Sequence, residues 1–338
     1  MVYVEVWIAR KKSMTALSVA AVAAVVPVFN KASTLPDIFA CLEANRDSAG
    51  PGFVASFIDD GSTDDSWALV EAWALDKDWV VASRQANQGA GAARNAAVRA
   101  TQASLLAFLD ADDVWFPDHA QALWSTWQKH PEACLLSSSY ERWVNGVRIR
   151  PPFFMVPDEG VVPFHFLSAA WGRMYAGTSS TGMPRAVFDA IGGFDVRLRN
   201  GQDRALWAEA ALRGPVVRTG RVGAVWRTDT TNSLMSNAFT NRGMMFEHWL
   251  EERLEAIQRG DVAHPIPSAL VQTHMREALA QDLFRFGGGH AARGEVERAE
   301  AYKAWLRRLG RGDLADRCDR IQLGDSPPGV LSGPDLPA

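Results

Sequence analysis

Three carboxylates, Asp110, Asp112 and Asp113, follow directly on the apolar run Leu105-Leu-Ala-Phe-Leu109. An apolar run of that length reads as a buried strand. A strand that ends in clustered acids aims them at one spot beyond its carboxyl end, which is where open α/β sheets hold their ligands. Carboxylates packed this closely repel one another unless a cation sits among them. Oxygen donors beside a phosphate-bearing ligand suit Mg²⁺ or Mn²⁺. The chemistry read from this segment is a divalent cation with a phosphorylated ligand. The plainer reading is a strand followed by an acidic turn that caps the next helix, which Pro117 and Asp118 would open.

Strand and helix alternate around this segment. Ser18–Val26, Phe53–Ile58, Val80–Ser83 and Leu105–Leu109 read as strands, and Leu35–Ala44, Ser66–Ala74, Gly91–Ala100 and Asp118–Lys129 as helices. Such alternation predicts a Rossmann-like, mostly parallel sheet flanked by helices, with each acidic or Gly-rich patch just after a strand. Farther on, Leu135–Val144 and Val147–Arg150 flank Asn145-Gly146, a hairpin signal. A loop-rich stretch with Pro151, Pro152, Pro157 and Pro163 leads to Thr178–Met183, a helix from Pro184 and another over Asp203–Arg213. From about Phe239 the chain reads as a helical appendage, with helices over Phe246–Gln258, Ser268–Phe286 and Gly294–Leu309.

Composition narrows the classes. The 338 residues carry a net charge of −4, so no basic surface argues for nucleic acid. Cys41, Cys134 and Cys318 are scattered without zinc or disulfide spacing, which suits a reducing cytoplasm. No apolar run is long enough to span a bilayer. The stretch Ala16–Phe29 after Arg10, Lys11 and Lys12 imitates a signal peptide, but its Val content and Pro27 fit a first buried strand better. The expected organisation is an extension over 1–14, a catalytic-type domain over 15–238, a helical region over 239–323 and a disordered tail over 324–338. The domain itself divides into a nucleotide-binding half, 15–115, and an acceptor half, 116–238.

Four blocks end or open these elements: Val25-Val-Pro-Val-Phe-Asn30, Ile58-Asp-Asp-Gly-Ser-Thr-Asp-Asp-Ser66, Asn87-Gln-Gly-Ala-Gly-Ala-Ala-Arg-Asn95 and Asp110-Ala-Asp-Asp113. In this order and spacing they resemble the family 2 glycosyltransferases of the GT-A fold. The likeness continues in Gly192-Gly-Phe-Asp195 and Gly201-Gln-Asp-Arg-Ala-Leu-Trp207 and covers about residues 18 to 236. The resemblance implies an inverting, nonprocessive transfer of a sugar from a nucleotide-diphosphate-sugar to a glycan or lipid-linked saccharide. The Gln-x-x-Arg-Trp block and membrane helices usual in processive polymerases are not found. A sugar nucleotidyltransferase would place a Gly-rich loop with a basic residue after the first strand, where this chain has Pro27-Val-Phe-Asn30. A catalytically inactive nucleotide-sugar-binding protein is the other alternative.

Each block then has an expected part. Pro27, Val28 and Asn30 line the nucleotide-sugar. The Asp59 carboxylate accepts the N3–H of uracil or thymine, favouring UDP- or dTDP-sugars, while Gly61 turns tightly beside the nucleoside; the plainer alternative is an Asx turn leading to Ser66. Gly91 lets a helix start approach phosphate, and Asn87 and Arg94 join it, although small residues also suit tight helix–sheet packing. The resemblance assigns Asp110 and the adjoining Ala111 to the ribose side, and Asp112 to Mn²⁺ or Mg²⁺. Asp113 orients the loop or caps the next helix. Asp203 is the expected general base, against helix capping as its other role.

Two departures stand out. Gln202-Asp203 replaces the family's usual Glu-Asp, and Asp229 stands in Trp226-Arg-Thr-Asp-Thr-Thr-Asn-Ser-Leu234 where a His is usual. Asp229 is either a further metal ligand or a loop residue. The Ser/Thr run Gly177–Gly182 lines the acceptor or is an edge strand, and Trp115, Trp171 and Trp207 are candidates for stacking on sugar rings. His119, His130 and His165 read as structural or surface residues. The expected location is cytoplasmic, with contact at the inner membrane face left open.

Overall fold

A computed structural model describes residues 21–144, 146–149, 159–162, 177–227 and 245–322. The N-terminal extension, the Asn145 turn position, the Pro-rich loop, His165, Trp171, Asp229 and the tail from 324 lie outside them. The chain divides into two compact units, Met1–Ser236 and Asn237–Ala338.

In the first unit the strands are β1 (Val22–Val28), β2 (Phe53–Asp59), β3 (Val80–Arg84), β4 (Leu105–Phe108), β5 (Val114–Trp115), β6 (Leu135–Val144), β7 (Val147–Ile149), β8 (Gly160–Val161), β9 (Thr181–Pro184) and β10 (Val216–Arg227). The helices are α1 (Leu35–Ala49), α2 (Ser66–Ala74), α3 (Ala90–Arg99), α4 (His119–Lys129), α5 (Arg185–Ile191) and α6 (Gln202–Arg213). One sheet runs β3-β2-β1-β4-β9-β6-β10-β5, with β7 beside β6 and β8 beside β10. It is parallel from β3 to β4, as the alternating pattern predicts. Beyond β4 it is mixed: β9 runs antiparallel between β4 and β6, and β5 and β8 antiparallel to β10. Thr181–Pro184 is therefore an interior strand and not an edge.

Burial explains the parallel half. Strand β1 is Val- and Ala-rich and nearly all buried, as expected of a strand covered on both faces. Helix α1 carries Leu35, Ile38, Phe39 and Leu42 inward, at the three- and four-residue spacing of one helix face. Phe39 stacks on Trp73 with ring centroids 4.4 Å apart, and Phe57 and Trp79 meet Trp73 edge-on. A second aromatic group lies on β4. Phe108 meets Phe194 at 5.4 Å and Trp207 at 5.3 Å, so α6 and the turn before it are fastened to the sheet.

In the second unit, α7 (Met245–Arg259), α9 (Val296–Arg308) and α10 (Gly312–Gln322) each pack on the long helix α8 (Ser268–Ala292). The core includes Leu279, Leu283, Phe284, Tyr302, Trp305 and Leu306. The final helix was not among those expected. Its buried face is Leu314, Ala315, Cys318 and Ile321, too sparse in large side chains to stand out beside Asp313, Asp316, Arg317 and Asp319. Among the described residues no helix is long and apolar enough to cross a membrane.

His119 is 1% exposed at the start of α4, edge-on to Trp115 at 4.9 Å. A Cβ on Gly223 would come within 2.0 Å of its Nδ1, so only glycine fits beside the ring. Burial holds the imidazole neutral, with its pKa pushed down to about 3 against the pull of Asp118. In the unfolded chain the ring takes a proton near pH 6.5. Acid therefore favours unfolding, and stability is expected to fall below about pH 6.5, by up to about 1.4 kcal/mol per pH unit from this ring. Thermal midpoints followed from about pH 7 to about pH 4.5 should decline less steeply in His119→Phe than in the parent. Parallel declines would remove the ring as the cause.

Candidate active site at the carboxyl edge of the sheet

Strands β1, β2, β3 and β4 all end on one edge, and the register sets their last residues side by side. Val28 lies opposite Asp59, and Asp59 opposite Arg84. Asn30, Asp59, Gly61, Asp110 and Asp112 thus converge although up to 82 positions separate them in the chain.

The first turn is tied to the second. Asn30 adopts φ 53°, donates its N–H to Ser62 Oγ at 2.9 Å and accepts the Thr63 N–H at 2.8 Å. Pro27 and Val28 lie in β1, where the Val28 carbonyl accepts the Asp60 N–H. Gly61 has φ +77°, and a Cβ there would lie 3.0 Å from the Asn87 N, so the tight turn needs glycine for both its angle and its space. Asp59 is 1% exposed. Its Oδ2 accepts the Ser62 N–H and pairs with Arg84 Nε at 2.9 Å, while Oδ1 has no hydrogen-bond partner. An unpaired buried carboxylate oxygen is costly unless a donor reaches it.

The start of α3 holds an anion of the protein's own. Asp60 accepts the N–H groups of Gln88 and Gly89 at 2.9 and 2.8 Å, and Gln85 Nε2 at 2.8 Å. The backbone donors just ahead of this helix are thus used internally rather than offered to phosphate. Asn87 is exposed beside them. Gly91 is buried, with Gln202 Cγ and Phe194 Cβ each 3.5 Å from where a Cβ would stand. Arg94 is 4% exposed, pairs with Asp110 through Nη2 and lies over the Phe194 ring at 5.3 Å. Its Nε and Nη1 have no hydrogen-bond partner.

The acidic turn divides its three carboxylates. Asp110 faces Arg94. Asp112 pairs with Lys31 Nζ at 2.7 Å. Asp113 turns inward, accepting Ser179 Oγ at 2.5 Å and the Arg227 N–H at 3.0 Å. The Ala111 carbonyl accepts Thr34 Oγ1 at 2.5 Å. Burial, with Asp112 and Asp110 beside it, raises the Asp113 pKa well above the ordinary carboxylate range. Burial also raises that of Asp110, opposed by Arg94. Its side chain keeps 31% of its surface, so water screens this shift more than that of Asp113.

Asp203 stands in the first turn of α6, accepting Thr178 Oγ1 at 3.3 Å and the Arg204 N–H at 2.8 Å. It is close enough for its charge to raise the pKa of Asp110. Gln202 is buried against Gly91, so that position serves packing and leaves Asp203 as the acid at the helix start. Asp229 lies outside the described residues. Trp115 and Trp207 are 2% and 1% exposed, which corrects the expectation that they stack on sugars: both are core. Lys31, Arg84 and the inward part of Ser179 were not anticipated. The available signal was a lone cation directly after the first block and another at the end of the third strand.

Among the described residues no three His, Cys, Asp or Glu side chains form a ready-made metal cage. Mg²⁺ and Mn²⁺ commonly need only one or two carboxylates when a diphosphate supplies the rest. Asp112, half-turned to solvent at 17% exposure, fits that limited part; Asp113, held by Ser179 and Arg227, does not.

Ser179 clasps the turn, accepting the Asp110 N–H at 3.1 Å while donating to Asp113. Ser179→Ala would strand both groups and is expected to cost about 1–3 kcal/mol in chemical denaturation. Ser179→Thr should recover most of that loss, and an Ala variant as stable as the parent would show the clasp to be idle.

A family model for glycosyl transferase family 2 matches residues 23–192, half of the chain. Uncharacterized glycosyltransferase alr2836 of Nostoc sp. is 43% identical over 74 residues, covering 21% of this chain and 22% of that protein. Uncharacterized glycosyltransferase YibD of Escherichia coli is 30% identical over 99 residues, covering 29% and 28%. The aligned stretches span under a third of these curated relatives. The crystal structure of S. aureus TarS 1-349 in complex with UDP-GlcNAc superposes with a TM-score of 0.67 at 16% identity, covering 90% of each chain. The strand order, the acid-ended strands and these matches agree: the chain has the GT-A fold and belongs to glycosyl transferase family 2.

Proposed function

We propose that the protein is an inverting, nonprocessive glycosyltransferase that uses a uridine or thymidine diphosphate sugar and a saccharide or glycolipid acceptor. The observation that carries this reading is the convergence on one edge of the sheet of Asp59 at the end of β2, Asp110 and Asp112 in the turn after β4 with Arg94 of α3 on Asp110, and Asp203 at the start of α6. That the TarS structure of the same fold holds UDP-GlcNAc supports it.

In this reading Asp59 offers its unpaired Oδ1 to the pyrimidine N3–H, which removes the cost of a buried orphan acceptor. Asp110, oriented by Arg94, meets the ribose hydroxyls. Asp112 holds Mn²⁺ or Mg²⁺, which when bound offsets the charge of the departing diphosphate. Asp203 takes the proton from the acceptor hydroxyl as its oxygen bonds to the anomeric carbon. The bond from that carbon to the phosphate oxygen breaks, and the nucleoside diphosphate leaves with the electron pair. Attack from the face opposite the leaving group inverts the centre. Thr178 and the Arg204 N–H hold the Asp203 carboxylate in place at the helix start.

Calorimetry with uridine and guanosine diphosphates tests the donor half. UDP is expected to bind more tightly than GDP, and more tightly with Mn²⁺ than with EDTA. Tighter binding of GDP would overturn the role of Asp59.

Product analysis tests the chemistry. Asp203→Asn should retain UDP binding while transfer falls by roughly 10² or more, the usual scale of general acid–base help. Transfer at the parent rate would make Asp203 a cap only. Nucleoside diphosphate release from a panel of UDP- and dTDP-sugars separates an enzyme from an inert binding protein.

A further inference from the structure

The three acids after β4 are answered from three directions. Arg94 faces Asp110, Ser179 and the Arg227 N–H hold Asp113, and Lys31 faces Asp112. The Lys31–Asp112 pair joins two separate turns at this edge, with side chains 13% and 17% exposed and Nζ 2.7 Å from Oδ2. Its placement is built rather than incidental. The Lys31 N–H donates to Ser66 Oγ at 2.8 Å, and the preceding Asn30 is held by Ser62 and Thr63. Thr34, three residues on, donates to the Ala111 carbonyl beside Asp112. The turn after β1 is therefore locked against the acidic turn, with the ammonium set on the carboxylate.

A divalent cation at Asp112 would have to share with this ammonium the one negative charge of the carboxylate. Lysine is a compact point charge, and at 2.7 Å it already answers the charge of that carboxylate through Oδ2. Two cations of like sign on one carboxylate also repel. We propose that Lys31 is the resident counter-cation of Asp112 and competes with the divalent cation for it, so that the nucleotide-free protein holds the metal weakly. The incoming diphosphate supplies the negative charge onto which the ammonium can turn. This rests on the reading of Asp112 as the cation ligand.

Manganese binding, followed by the paramagnetic resonance of the free ion, tests this without any turnover. In the absence of nucleotide, Lys31→Met is expected to bind Mn²⁺ about tenfold more tightly than the parent, equivalent to about 1.4 kcal/mol. Lys31→Gln should behave likewise if the Met variant fails to fold, and Lys31→Arg, which keeps the charge, should remain near the parent. The gain should vanish when Asp112→Ala is added. Equal or weaker Mn²⁺ binding in the folded Met and Gln variants would overturn the competition alone, as would a gain that survives Asp112→Ala. No Mn²⁺ binding by parent or variants, with or without UDP, would overturn both the competition and the cation reading.

Discussion

Mutual repulsion among carboxylates constrains this site more than any other force. Asp59, Asp60, Asp110, Asp112, Asp113 and Asp203 gather near one edge of the sheet, most with little water to screen them. Each is answered by a partner from another segment. Arg84 closes on Asp59 from the end of β3, Arg94 on Asp110 from α3, and Lys31 on Asp112 from the turn after β1. Asp60 relies on the backbone donors ahead of α3, and Asp113 on Ser179 and the end of β10. Removing one partner from such a group leaves a buried charge unanswered, which costs more than the pair itself contributes. The turns at this edge are consequently interdependent.

The aromatic group around Phe194 sets the position of the acid that faces them. Phe108 of β4, Phe188 of α5 and Trp207 of α6 all meet the Phe194 ring. Asn95 clamps the same residue by accepting its N–H and donating to its carbonyl, each at 2.9 Å. Gly193 permits that approach, since a Cβ there would lie 2.7 Å from Asn95 Oδ1. Trp207 sits one helical turn beyond Asp203, so fixing the indole in the core aims the carboxylate at the edge. Arg94 lies over the other side of this arrangement, against both Phe194 and Asp110. Packing and electrostatics thus share residues: the ring that anchors α6 also braces the cation that answers Asp110.

Of the two departures from the family pattern, Gln202 lies within the described residues and Asp229 outside them. Gln202 is a packing residue against Gly91, so a neutral amide there avoids a further buried charge beside Asp203 and Asp110. The Ser/Thr run before β9 serves the protein's own acids, through Thr178 with Asp203 and Ser179 with Asp113. Small hydroxyl residues suit that task because they donate to a carboxylate and accept a backbone N–H without adding charge.

What the amino-acid sequence determined by itself is local. Apolar runs that end in Asp59 and Asp110, glycine at the Gly61 turn and the small residues opening α3 each specify a strand, a turn or a helix start within a few positions. Those properties sufficed for the parallel half of the sheet and for the acids that end its strands, Asp59 and Asp110, whereas Asp203 was reached through the family resemblance. Tertiary structure alone decided which partner each acid received. Lys31 and Asp112 are 81 positions apart, and Ser179 and Asp113 are 66 apart. Their meeting depends on β1 lying next to β4 and on β9 entering the sheet between β4 and β6. Tertiary contacts also buried Trp115, whose Nε1 donates to the Ser179 carbonyl, and Trp207, packed on Phe108 and Phe194, which composition alone had left free to stack on a sugar. Hydrophobic period tells which face of an element turns inward, but the neighbour it meets there is chosen by the crossovers of the chain, and no spacing within a single segment encodes them.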